Sequence, residues 1–147
     1  MKTTLASLAV TAICLAPGAA SADAQTRDFV VNAVTELFIE RDLTAIDRYW
    51  AEDYAQRNPM FPSGRDVIRG LFANLPAEFT YEIGMVIAEG DLVAIHARYS
   101  GIGPTPLIVV DIFRVEDGLI VEHWDVMQEE VLETASGLPM FDPMPME

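Results

Sequence analysis

The chain has 147 residues, of which 51% are hydrophobic and 22% charged, and its formal net charge is −14. This balance fits one packed domain and excludes a disordered chain. Nine basic residues against 23 acidic ones give a surface that repels phosphate backbones, so nucleic acid is a poor partner.

The first 24 residues, "MKTTLASLAVTAICLAPGAASADA", hold one lysine, an apolar run from Leu5 to Ala16 and then small residues. The run is short for a bilayer span, and Ala20-Ser21-Ala22 and Ala22-Asp23-Ala24 both fit an A-x-A cleavage pattern. The segment reads as a secretory signal peptide, cleaved near Ala22 or Ala24. An uncleaved membrane anchor is the alternative. Lipoprotein processing at Cys14 is rejected, because Ile13 stands where a small residue is needed. The expected mature protein is exported, to the periplasm or outside the cell, and is free of the membrane. Cleavage removes Lys2 and Cys14, the only residues of their kinds; with cleavage after Ala22, eight arginines against 23 acids then leave −15. Without lysine or cysteine there is no disulfide, thiol nucleophile, Schiff base or cysteine metal site.

Residues 27–41, "RDFVVNAVTELFIER", place Phe29, Val30, Ala33, Val34, Leu37 and Phe38 on one helical face. "DLTAIDRYWAEDY" repeats the three-four rhythm through Leu43, Ile46, Tyr49 and Trp50, with Asp42 as an N-cap. "QRNPMFPSG" is a loop, and "RDVIRGLFANLP" is a third helix that stops at or before Pro76. The period then changes. Residues 79–88, 92–99, 105–115 and 119–128 read as strands, divided by "EGD", "GIGP" and "EDG". The end, "GLPMFDPMPME", reads as an extended tail that packs its methionines over a pocket or a partner. Helices followed by antiparallel strands predict an α+β domain. Three helices on the concave face of a curved sheet enclose a cone with an apolar interior, which suits a small molecule.

A three-residue loop at "EDG" puts Asp111 and Phe113 on the same sheet face as His123, Asp125 and Met127. The other face offers Arg114 and Glu122 as a cross-strand pair. On the preceding strand His96 and Arg98 share one face, with Asp111 and Asp125 as their candidate partners. An aspartate in an apolar cone serves as general acid or base, and a neighbouring histidine orients substrate or moves the proton. The same constellation also fits a satisfied polar network beneath the sheet. No pair among His96, His123, Asp111 and Asp125 has zinc-site spacing, so no metal is expected. "GIGPTP" lacks the strand-to-helix context of a phosphate loop, and Ser63 and Ser100 lack a nucleophile elbow.

"YAQRNPMFPSGRDVIRGLF", "AEGDLVAIHARYSG" and "VVDIFRVEDGLIVEHWDVMQ", in that order, resemble the SnoaL-like proteins of the nuclear-transport-factor-2-like superfamily. That superfamily includes ketosteroid isomerase, scytalone dehydratase and limonene epoxide hydrolase. The resemblance covers residues 27–141, giving a domain over 25–141 and a tail over 142–147. It implies the cone-shaped barrel, a homodimer through the exposed sheet face, and cofactor-independent acid/base chemistry of aldol-cyclase, isomerase or lyase type.

By that resemblance Asp125 matches the acid/base aspartate of polyketide cyclases, and Asp111 stands where the cyclases carry histidine. Arg57 replaces the histidine of a "QHNP" motif, and Asn58 keeps its amide. The epoxide-hydrolase branch needs an Asp-Arg-Asp set, of which only Asp125 has a counterpart. The expected catalytic group is Asp125 with His96, His123 and Asp111. The expected substrate-binding group is Asn58, Arg57, Trp50, Phe113 and Arg98. The expected ligand is a small apolar or carbonyl-containing molecule. A ligand-binding protein without turnover and a dimerisation module are the alternatives, since a fold does not settle an activity.

Overall fold

A computed structural model describes residues 21–143. The signal-peptide reading therefore lies almost wholly outside the described residues, as do Met144 and Met146 of the tail. Helix α1 spans Ala22–Val34 and so starts ahead of the apolar face that predicts it. The Ser21 hydroxyl explains the early start, since it caps the helix by accepting the Ala24 N–H at 3.2 Å. Asp23 in the first turn accepts the Gly90 N–H at 2.9 Å, which ties the helix start to a distant hairpin turn. A π-helical turn, Thr35–Ile39, continues α1 and buries Leu37 and Phe38.

Helix α2 is short, Ala45–Tyr49. Its N-cap is Thr44 and not Asp42, and no side chain caps it. Asp42 holds the turn before the helix, its carboxylate accepting both the N–H of Thr44 at 2.8 Å and the Thr44 hydroxyl at 2.7 Å. The predicted helix over 42–54 does not continue. Residues Trp50–Gln56 form strand β1 instead. Helix α3, Arg65–Ala73, follows the loop as expected. Strands β2 (Thr80–Glu89), β3 (Leu92–Ser100), β4 (Leu107–Glu116) and β5 (Leu119–Glu129) match the four predicted runs.

The sheet order is β1-β5-β4-β3-β2. Strands β2 to β5 run as antiparallel neighbours, and β1 adds to β5 in parallel, so the sheet is mixed. Its register breaks in β1, in β2 between Ile83 and Val86, and between β4 and β5 beyond Arg114. Such bulges bend and twist a sheet, and they give this one its cone shape. Val30, Val34 and Leu37 from the helices meet Val93, Ile95 and Ala97 of β3 in a buried core. Phe38 packs edge-on against Phe72 at 4.5 Å and Tyr81 at 4.9 Å between ring centres. The α+β cone predicted from the element order is the observed architecture.

The β4–β5 turn reaches its register differently from the predicted route. Asp117 and Gly118 both have positive φ, 50° and 75°, and Glu116 pairs with Leu119. That is a two-residue hairpin loop of the kind that needs positive φ at both positions. The extra residue sits in the strand, at the bulge after Arg114. Either route keeps Asp111, Phe113, His123 and Asp125 on one face, and the observed register sets Asp111 opposite Asp125 and Phe113 opposite His123.

The C-terminal segment packs on the outer face of the sheet. Its anchor is Phe141, 4% exposed, and not a methionine. The ring lies 5.0 Å from the Arg98 guanidinium and 5.8 Å from the His96 ring. Gly84 makes room for it: a Cβ there would stand 2.9 Å from the Phe141 ring and 2.8 Å from the His96 carbonyl.

Candidate active site

The inner face of the sheet and the helices above it enclose a cavity of about 320 Å³. Phe38, Trp50, Ile68, Phe72, Phe79 and Phe113 make most of the wall apolar, with Met60 and Ile102 among the exposed lining residues. The polar groups converge on one end. Gln56 and Asn58 come from β1 and the loop after it, Tyr54 from β1, Tyr99 from β3, and His123 and Asp125 from β5. No arginine lines the cavity.

Asp125 faces this space. Its Oδ2 accepts the Asn58 side-chain amide at 2.7 Å. Asn58 is 4% exposed, and its own Oδ1 accepts the Met60 N–H at 2.8 Å, which fixes the amide's orientation. Asp111, the cross-strand neighbour of Asp125, lies behind the wall with no exposed surface. It accepts the Tyr81 hydroxyl at 3.0 Å and the Tyr99 hydroxyl at 2.9 and 3.0 Å, and it bonds His123 Nε2 at 3.0 Å. His123 reaches Gln56 Oε1 through Nδ1, also at 3.0 Å.

Burial, and then the Asp111 charge, push the hydroxyls of Tyr81 and Tyr99 far above the usual phenol range. Burial, followed by the charges of Asp111 and Asp125, does the same to Tyr54. Tyr54 therefore stays a hydrogen-bond donor, and its oxygen already accepts the Gln56 amide at 3.4 Å.

Residues 31–123 match the family model described as a SnoaL-like domain. The chain belongs to the SnoaL-like family. Its fold is shared with solved structures that include a proposed ketosteroid isomerase from Kribbella flavida, 20% identical over 88% of this chain and 96% of that one, with a TM-score of 0.66. IdmH from Streptomyces antibioticus, a proposed polyketide cyclase, is 23% identical over 70% and 91% of the two chains, with a TM-score of 0.56. An LEH-like epoxide hydrolase from M. tuberculosis is 21% identical over 72% and 84%, with a TM-score of 0.59. At these identities the likeness establishes the fold. Among curated proteins none matches the chain.

Within the SnoaL-like frame, five predicted site residues line the cavity: Trp50, Asn58, Phe113, His123 and Asp125. Asp111 supports them from behind. Three others are corrected. His96 and Arg98 do not meet Asp111 or Asp125, because the apolar trio Val93, Ile95 and Ala97 takes the inner face of β3 and turns both outward. Arg98 pairs instead with Glu82 at 2.7 Å and lies under Phe141. Arg57 also points away, donating to Glu122 at 2.6 Å with 59% of its side chain exposed. The expected Arg114–Glu122 contact is present at 3.2 Å.

Sequence reasoning missed Tyr54, Gln56, Tyr81 and Tyr99. Tyr99 shares its alternation with Val93, Ile95 and Ala97, and Tyr81 is its cross-strand partner, so both were findable once the inner face was chosen correctly. Asp111, His123 and Asp125 each offer a ligand atom, all within 4.8 Å of one another. A cation there would have to break the His123–Asp111 hydrogen bond and compete with the tyrosine donors on Asp111. The donor set already satisfies itself, and it fits a proton network better than a metal centre.

Proposed function

We propose that this SnoaL-like protein binds a small, mostly apolar carbonyl compound and that Asp125 moves a proton on it without a cofactor. One observation carries the reading: a single carboxylate faces an apolar cavity, held through one oxygen by Asn58, with no arginine among the described lining residues to form an ion pair with it. A carboxylate so placed takes a proton from carbon next to a carbonyl and returns it elsewhere. Tyr54 supplies a neutral donor for the oxygen that gains charge. Aldol cyclisation, isomerisation and elimination share that first step.

The test is Asp125→Asn, assayed on any carbonyl compound the protein turns over. Turnover should fall by about 10²- to 10⁴-fold, the usual worth of a general acid or base. Unchanged turnover would defeat the mechanism.

A second reading, an exported binding protein without turnover, is favoured by the signal-like N-terminus. It expects a co-purified ligand that mass spectrometry finds chemically unchanged after incubation. Mass spectrometry of the mature N-terminus checks export: cleavage after Ala22 keeps Asp23 and its bond to Gly90, whereas cleavage after Ala24 removes both. We further infer a homodimer through the outer sheet face. The support is Val126, 70% exposed, beside Trp124 on the outer side of β5. A monomer by light scattering at micromolar concentration counts against the dimer.

A further inference from the structure

Whether a ring nitrogen of His123 gives or takes a proton depends on its partner. On the Nδ1 side the partner is Gln56 Oε1 at 3.0 Å. That atom's identity is fixed independently, since it also accepts the backbone N–H of Asn58 at 3.0 Å, which an NH₂ group cannot do. Gln56 Nε2 is turned the other way, towards the Tyr54 hydroxyl. An amide oxygen only accepts, so Nδ1 carries a proton.

On the other side Nε2 meets Asp111 Oδ1 at 3.0 Å. Both Asp111 oxygens already accept tyrosine hydroxyls, Oδ2 from Tyr81 and Tyr99 and Oδ1 from Tyr99. A carboxylate used as an acceptor on both oxygens needs a donor on Nε2 as well.

We propose that Gln56 is a positioning residue that holds His123 as an imidazolium, with Nδ1–H given to Gln56 and Nε2–H given to Asp111. The titratable groups around the ring are Tyr54 of β1, Tyr81 of β2, Tyr99 of β3, Asp111 of β4 and Asp125 of β5. None is cationic and two are carboxylates, so a positive ring balances one of two like charges. His123 then has no lone pair with which to accept a proton. It acts as a fixed positive charge near Asp125, which is left as the base. That role rests on the acid/base reading of Asp125; the proton count does not.

Nitrogen-15 NMR of the two histidine side chains in the full-length protein at pH 7 tests this, with His96→Gln to assign them. Both ring nitrogens of His123 should show protonated-type shifts. Gln56→Leu removes the acceptor and should leave one nitrogen deprotonated. Gln56→Glu restores an acceptor and should keep the imidazolium. Backbone amide spectra check that each variant folds. A neutral His123 in the unaltered protein, an unchanged ring in Gln56→Leu, or a neutral ring in Gln56→Glu overturns the proposal. If Gln56→Leu does not fold, the other two samples still decide. The measurement needs no substrate, so a failed search for turnover bears on the Asp125 reading alone.

Discussion

Asp111 and Asp125 sit opposite each other on β4 and β5, the first sealed from solvent and the second open to the cavity. Asp111 collects two tyrosines and a histidine, whereas Asp125 is held by one amide. Their substitutions should therefore part company in stability. Asp111→Asn turns an amide NH₂ towards groups that donate, and breaking such a buried pair costs about 3–5 kcal/mol. Asp125→Asn removes one of two like charges and should leave the unfolding free energy within roughly 1 kcal/mol of the original. Urea unfolding of the two variants side by side is the check.

All four tyrosines of the chain are shifted the same way. Burial acts first on Tyr54, Tyr81 and Tyr99, and the hydrogen bond to Glu36 acts first on Tyr49. A group whose folded value is raised stabilises the fold below its unfolded value, about 10 for tyrosine. It withdraws that stabilisation as pH climbs. Absorbance near 295 nm should show almost no phenolate in the folded protein at pH 10, then a cooperative rise that coincides with unfolding. A gradual rise without unfolding contradicts this.

At the acid end the relevant group is exposed. Arg48 bridges Glu36 and Asp42, and its hydrogen bond to Asp42 leads the causes that bring that carboxyl down to about 2. Glu36 is lowered too, by Tyr49 first and Arg48 second. Depressed carboxyls stabilise the fold above their unfolded values, near 4, and lose that effect as pH falls towards 2. Arg48→Met should lower stability slightly at neutral pH, as expected for an exposed pair, and the difference from the unaltered protein should shrink as pH falls from about 4 towards 2, as followed by urea unfolding with circular dichroism at each pH.

Gly84 tests the C-terminal anchor. An alanine methyl would press on both the His96 carbonyl and the Phe141 ring, and overpacking of this kind costs about 1–3 kcal/mol. The flexible partner should yield. Gly84→Ala is expected to release the segment around Phe141, seen as faster hydrogen exchange and proteolysis after Leu138 while the cavity remains intact.

The fold was legible where the period was clean. Strands β2 to β5 alternate over nine to eleven residues each, and their parity placed Asp111, Phe113, His123 and Asp125 together. Strand β1 was not legible. Its register breaks between Trp50 and Ala55, so burial falls on Trp50, Ala51 and Tyr54, a spacing that imitates a helix. Tyr54 and Gln56 were lost to the site with it.

His96 and Arg98 show a different limit. Their alternation was right and the face assigned to them was wrong. A charged pair was expected to seek partners inside, yet three small and aliphatic neighbours took the core, because that burial stabilises without desolvating a charge. The partners of Arg98 came from Glu82 across the strand and from Phe141 of the tail, which lies too far along the chain for local patterning to reveal.

Strand β1 holds only one neighbour, β5, and lies at the rim of the sheet. Two contacts of the polar end, Asn58 to Asp125 and Gln56 to His123, join this rim to residues 67 positions later. Edge segments open at lower free energy than the whole fold. Any such opening detaches both contacts at once, so chemistry would fail while the β2–β5 meander still stood. Loss of activity on warming should thus precede loss of secondary structure, and a substrate that spans both sides of the cavity would hold the rim closed.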